Sequence, residues 1–209
     1  MFIQVIQGQC RDADRLHQLT DEWREQLGPA AEGWLGGTYG VTDDGQFVAV
    51  VRFESREAAM KNSDRPEQGE WWQKMSECFD GEVTFHDCDD VSMFLGGGSD
   101  DAGFVQVIQG RLTDADRFKD FMAQPMDALH EARPEILGGT IAIEPDGTFT
   151  QTVAFTTEAA AREGEAKEMP EDMRASTEEE FSVMQDVKYL DLHHPWFASS
   201  EKESGAAMA

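Results

Sequence analysis

From Phe2 to Gly8 apolar side chains alternate with glutamine, the two-residue period of a strand with one buried face. Asp12 then offers a short carboxylate to cap a helix, and Leu16, Leu19, Trp23 and Leu27 recur at helical spacing up to Gly28 and Pro29. In WLGGTYGVTDDGQFVAVVRF two apolar stretches meet at Asp44-Gly45, a dipeptide that accepts the positive φ of a tight turn, which predicts a hairpin. A second helix opens at ESREAAMKNS, is interrupted at Pro66 and resumes at EWWQKMSECF, and Val83–Cys88 closes the series as a strand. The predicted order is βαββαβ.

The same order then repeats. Phe2, Asp12, Leu35, Asp44, Phe53 and Phe79 recur as Phe104, Asp114, Leu137, Asp146, Phe155 and Phe181, all at an offset of 102. The second copy has its own capped helix (Phe118, Phe121, Met122, Leu129), its own Asp-Gly hairpin, a helix interrupted at Pro170, and a last strand over Val187–Leu192. The expected domains are therefore 1–94 and 104–197, joined by a linker over 95–103 (LGGGSDDAG) and followed by a disordered tail over 198–209, a stretch with almost nothing to bury. Each copy matches a ferredoxin-like split βαβ unit.

A four-stranded sheet with both helices on one face leaves the other face bare. Phe47, Val51 and Phe53 recur as Phe149, Val153 and Phe155, which assigns that parity to the helix side and points Val48, Val50 and Arg52 to the bare face. Exposed aliphatic side chains at roughly 1.5–3 kcal/mol each would make a lone copy sticky, so a partner surface is expected. About nine linker residues span roughly 30 Å when extended, enough to let the second copy act as that partner at an effective concentration on the order of millimolar. The expectation is a monomer that carries a homodimer within one chain.

Charge narrows the partners. Forty-two acidic against seventeen basic residues give a net charge of -25, which repels nucleic acid and anionic membrane surfaces. Met1 leads straight into the first strand without a basic leader, and no apolar run approaches the ~20 residues of a membrane span, so a soluble cytoplasmic protein is expected. Cys10, Cys78 and Cys88 lack any C-x-x-C spacing and read as reduced thiols rather than a disulfide or zinc framework.

The stretch GWLGGTYG…DDGQFVAVVRFESREAAMKNSDRPEQGEWWQ resembles the dimeric α/β-barrel superfamily of antibiotic biosynthesis monooxygenase-like proteins, through Gly37, Phe53, Ser55, Glu57, Ala58 and Pro66. The resemblance runs from Phe2 to about Phe94, and more loosely from Phe104 to Phe197. It implies an α+β fold of two tandem ferredoxin-like repeats packed sheet to sheet as an intramolecular dimeric α/β barrel. It also implies a small-molecule-binding protein, either a cofactor-independent monooxygenase-like enzyme acting on an aromatic or polycyclic substrate or a non-catalytic module of the same fold. Haem-degrading members of the superfamily carry Asn late in strand one and Trp and His on the second helix. Here Gln7 takes the first place and that helix has no His, so no cofactor is expected.

Site candidates concentrate in the first copy. Trp23, Trp34, Trp71 and Trp72 have Pro125, Ile136, Met173 and Arg174 at the common offset, and large flat side chains suit a ring-based ligand as well as an ordinary core. Adjacent Trp71 and Trp72 diverge by about 100° on a helix, so only one of them is expected to wall a pocket. Tyr39, Trp34, Trp71, Trp72 and Arg52 are the candidates for substrate binding, and His86, Asn62 and Gln7 for orienting the substrate or taking its proton. No metal is expected, because neighbours in TFHDCDD alternate faces and His86, Cys88 and Asp90 spread over more than ~10 Å.

Overall fold

Polar caps and glycine turns place the elements of the first copy. In a computed structural model that describes residues 1–123, 126–168 and 171–200, strand β1 (Phe2–Cys10) leads to Asp12, whose carboxylate accepts from the Arg15 amide and starts helix α1 (Ala13–Gln26). Strands β2 (Trp34–Val41) and β3 (Gln46–Phe53) form the hairpin, with Gly45 at φ 84°, a conformation glycine adopts without strain. Ser55 caps α2 (Arg56–Ser63), and Pro66 opens α3 (Pro66–Ser76) where no amide proton is needed. Strand β4 (Phe79–Cys88) runs longer than its alternation predicted and carries an irregularity opposite Gln7–Gln9.

Next comes a strand absent from the sequence reading, β5 (Asp90–Phe94). The second copy follows as β6 (Phe104–Leu112), α4 (Ala115–Met122), α5 (Asp127–Ala132), β7 (Ile136–Ile143), β8 (Thr148–Phe155), α6 (Glu158–Ala166), α7 (Glu171–Ser182) and β9 (Met184–Leu192). Its first helix is thus two short ones, and Pro125 between them lies outside the described residues, as does Pro170. A final strand, β10 (Trp196–Ser199), closes the described chain.

The strands form two antiparallel sheets, β10-β2-β3-β1-β4 and β5-β7-β8-β6-β9. Each is the four-stranded ferredoxin-like order with one further edge strand, and the fold class is α+β with two tandem ferredoxin-like units. The edge strands correct the expected boundaries. One unit comprises Met1–Asp89 with the chain from His194 onward, and the other Asp90–His193. Residues 90–94 therefore belong to the second unit, while Trp196 and Phe197, expected in the second copy, and Ala198 and Ser199, expected in the tail, pair with β2 of the first. An edge strand is fixed by backbone bonds to a distant segment, which no local pattern reports. The rest of the predicted tail, 201–209, lies outside the described residues.

The repeat also drifts near its end. Met184 stands opposite Leu112 as Phe79 stands opposite Cys10, so Phe181, expected to match the buried Phe79, lies instead on α7 and is exposed. In the first unit Phe2, Phe47 and Phe53 bury against Leu16, Leu19 and Trp23 on the helix side of the sheet. Ile3, Val5 and Val48, on the other face, are fully buried too. Among the described residues no helix is long and apolar enough to cross a membrane.

Candidate functional site

A cavity of about 60 Å³ opens in the first unit between the helix side of the sheet and α1, α2 and α3. Strand alternation delivers its floor. Gln4 and Ile6 on β1, Ala49 and Val51 on β3 and Tyr39 on β2 share one face, because Gln4 pairs with Val51, Ile6 with Ala49, and Ala49 with Tyr39. The roof is aromatic, with Trp23 from α1 and Trp71 and Trp72 from α3. Both tryptophans of the adjacent pair reach the cavity, against the expectation that one would face away. Trp71 leans toward α1, its Nε1 donating to the Leu19 carbonyl at 2.8 Å, while Trp72 leans toward the sheet, 5.0 Å edge-on from Phe85. The 100° between them is spanned because indoles are long enough to converge from two sides of the helix ridge, their rings 6.1 Å apart.

The polar groups around this apolar space have settled orientations. Asn62 is buried on α2, and its Oδ1 accepts from Arg65 Nη1 at 3.0 Å. A guanidinium can only donate, so the amide oxygen is fixed there and the NH2 is the end without a partner among the described residues. Gln4 is fixed the opposite way: its Nε2 donates to Asp87 Oδ1 at 2.9 Å, which leaves a carbonyl oxygen as the spare group at the sheet. Tyr39 is buried, its hydroxyl folded over Gly37, where a Cβ would fall 2.4 Å from it. Burial pushes the Tyr39 pKa well above the ordinary phenol range, and the nearby Arg52 charge offsets only part of that. Tyr39 is the sole titratable side chain among the lining residues, and it keeps its proton.

The eight site candidates from the sequence divide between two faces. Asn62, Tyr39, Trp71 and Trp72 line the cavity. Trp34 shares their side of the sheet but packs edge-on against Trp23 at 4.9 Å, a backing wall whose buried Nε1 has no hydrogen-bond partner among the described residues. Gln7, Arg52 and His86 do not join them. Val5 pairs with both His86 and Val50, Ile3 pairs with Arg52, and Gln7 pairs with Val48, so all three candidates point to the face away from the helices. Gln4 and Gln68, which the sequence reading passed over, are lining residues. Gln4 was legible in principle, since it shares the parity of Phe2. Among the described residues no three His, Cys, Asp or Glu side chains cluster closely enough to hold a metal ion.

An α+β unit written twice in one chain, with an aromatic cavity between sheet and helices in the first copy, defines the class to which comparison then gives examples. No family model and no curated protein matches the sequence. Solved structures do match over nearly the whole length. A proposed monooxygenase from Lactobacillus acidophilus NCFM superposes with a TM-score of 0.73 at 13% identity, covering 95% of each chain. An anthrone oxidase-like protein gives 0.62 at 11% identity, covering 96% of this chain and 94% of that one. A regulator of staphylococcal pathogenesis gives 0.53 at 10% identity over 93% of this chain and 99% of its own. The chain has the tandem fold of these proteins, and the resemblance to monooxygenase-like α/β proteins holds at the level of fold.

Proposed function

We propose that the first unit binds a flat, ring-based small molecule in this cavity and acts on it as a cofactor-independent monooxygenase-like oxidoreductase. The observation that carries the reading is the enclosure itself: three indoles and a neutral phenol around an apolar floor, with amide groups whose free ends are fixed in advance. The fold of the solved neighbours supports it. About 60 Å³ holds only a few water-sized groups of ~10–15 Å³ each, so a two- or three-ring substrate enters by swinging the half-buried Trp72 outward.

Such a substrate supplies its own electrons. Anthrone is the test case: a proton leaves its CH2 group to water, and the electron-rich enolate left behind reacts with O2. The carbon becomes a carbonyl, and the second oxygen atom departs as water with the two hydrogens. The chain excludes solvent, stacks the rings on Trp71 and Trp72, and holds the enolate oxygen with the Asn62 NH2. Oxygen uptake with anthrone, accompanied by anthraquinone, is expected, and Asn62→Ala lowers it by about tenfold or more. Tight anthrone binding, seen as quenching of tryptophan fluorescence, with no uptake above the uncatalysed rate would overturn the catalytic part.

That outcome is the second reading, a ligand-binding module without activity. One observation favours it: no lining side chain can take a proton, since Tyr39 holds its own and His86 lies on the other face. In either reading the protein works as a cytoplasmic monomer, and its charge of -25 argues against nucleic-acid partners.

A further inference from the structure

A second amide at the cavity also has its orientation settled. Gln68 on α3 accepts from Trp23 Nε1 on α1 through its Oε1, at 2.6 Å. An indole nitrogen has a proton to give and no lone pair to accept with, so this bond holds the oxygen toward α1 and leaves the NH2 as the group for a ligand. Resting on the ligand site described above, we propose that Gln68 is a specificity-determining donor, positioned by Trp23, and that the bound molecule presents it with a ring-borne, uncharged carbonyl oxygen.

The surroundings narrow the ligand to that class. Gln68 and Asn62 both offer NH2 groups from the helix side, so the ligand must bring an acceptor to that side. A carboxylate is an acceptor as well, but among the described residues no cationic side chain lines the cavity, so a group ionised before it enters loses its hydration without a counter-charge, whereas a ketone enters neutral and its enolate forms only once the amides hold the oxygen. A ring without any acceptor would displace water from two donors and leave them unpaired. A neutral ketone or quinone oxygen satisfies both. The device is private to the first unit, because the positions at the common offset from Trp23 and Gln68 are Pro125 and Pro170, and proline carries neither donor nor acceptor in its side chain.

The test uses 1-indanone and indane, two-ring probes of nearly equal shape that differ in one carbonyl, titrated into the full-length chain by tryptophan fluorescence and calorimetry. Wild type is expected to bind 1-indanone about tenfold more tightly than indane. Gln68→Glu turns the donor into a repelling carboxylate. Trp23→Phe removes the anchor and lets the amide turn. Both should bring the ratio of affinities toward one, each variant's own indane affinity serving as the reference. A merely structural role for the pair would weaken both probes together and leave the ratio intact, which overturns the proposal. A wild-type ratio near one, with both probes bound, overturns it too and leaves the ligand site standing. Binding of neither probe overturns the site reading and this inference together. Should Gln68→Glu fail to fold, the wild-type ratio and Trp23→Phe decide.

Discussion

The two units share a scaffold and part company at one place. In the first, Gln4 donates to Asp87, Asp87 pairs with Arg56, and Arg56 lies 4.9 Å over the Phe2 ring. In the second, Gln106 donates to Asp191, Asp191 pairs with Arg162, and Arg162 lies 5.1 Å over Phe104. The arginine comes from the start of α2 in one and about a turn further along α6 in the other, yet the cluster is rebuilt. Beside it the units diverge. Gly164 occupies the position equivalent to Asn62, and a Cβ there would fall 1.9 Å from Glu135 Oε1. Glu135 in turn replaces Gly33 and pairs with Arg133, so an ion pair fills the second unit next to the helix where the first presents an amide. Tyr39 becomes Ile141 and Trp34 becomes Ile136, both buried. What recurs is what holds sheet to helix; what differs lies around the cavity of the first unit.

The most drastic way to break this comparison is to remove β10. A chain ending at His194 takes Trp196 from the first unit's core and opens the edge of β2, and should lose hydrogen-exchange protection over Trp34–Val41 while β7 and β8 keep theirs. Unchanged protection of β2 would show that the edge strand is dispensable. A fragment of residues 1–96 lacks β10 and also leaves β5 without β7, and sedimentation should find it dimerised or aggregated.

Next in size is Phe118→Ala, which empties a fully buried site in the second unit and should cost about 3–5 kcal/mol in denaturant titrations without altering ligand affinity. Trp71→Ala and Trp72→Ala, in contrast, should each weaken binding by roughly 1–3 kcal/mol, since both indoles face the cavity. An effect from only one of them would mean that the other is packing alone.

The smallest effect is a pH dependence confined to the second unit. Burial raises the Glu135 pKa, but the Arg133 hydrogen bond and charge, with its own backbone amide, outweigh this and hold it below the ordinary 4.5. A depressed carboxyl contributes stability that is fully present above about pH 4.5 and disappears as the pH falls through the lowered value. Glu135→Gln should therefore flatten the acid limb of the second unit's unfolding and leave the first unit's unchanged.

Much of this architecture is written locally. The offset of 102, the capping Asp12 and Asp114, and the Asp-Gly turns each act within a few residues, and alternation along β3 assigned its two faces correctly. The alternation DVSMF at Asp90–Phe94 is a strand signal as well, but its partner lies about fifty residues away, and nothing near it names β7. The site suffered from the same limit. Parity already put Arg52 on the face opposite Phe53, so a single site holding Arg52, His86 and the tryptophans spanned both faces of one sheet. The orientation of Gln68 depends on Trp23, forty-five positions earlier, and only the folded chain brings the two together.

The exchanged edge strand sets a timetable for synthesis. Every residue of β2 leaves the ribosome before residue 42, but its neighbour β10 begins at Trp196. At ~5–20 residues per second the nascent chain therefore carries an unpaired, glycine-rich edge next to its tryptophan cluster for roughly 8–30 s. Translation pauses in the second copy lengthen that interval, and a chaperone that shields strand edges would act on this protein early, on the half that looks finished first.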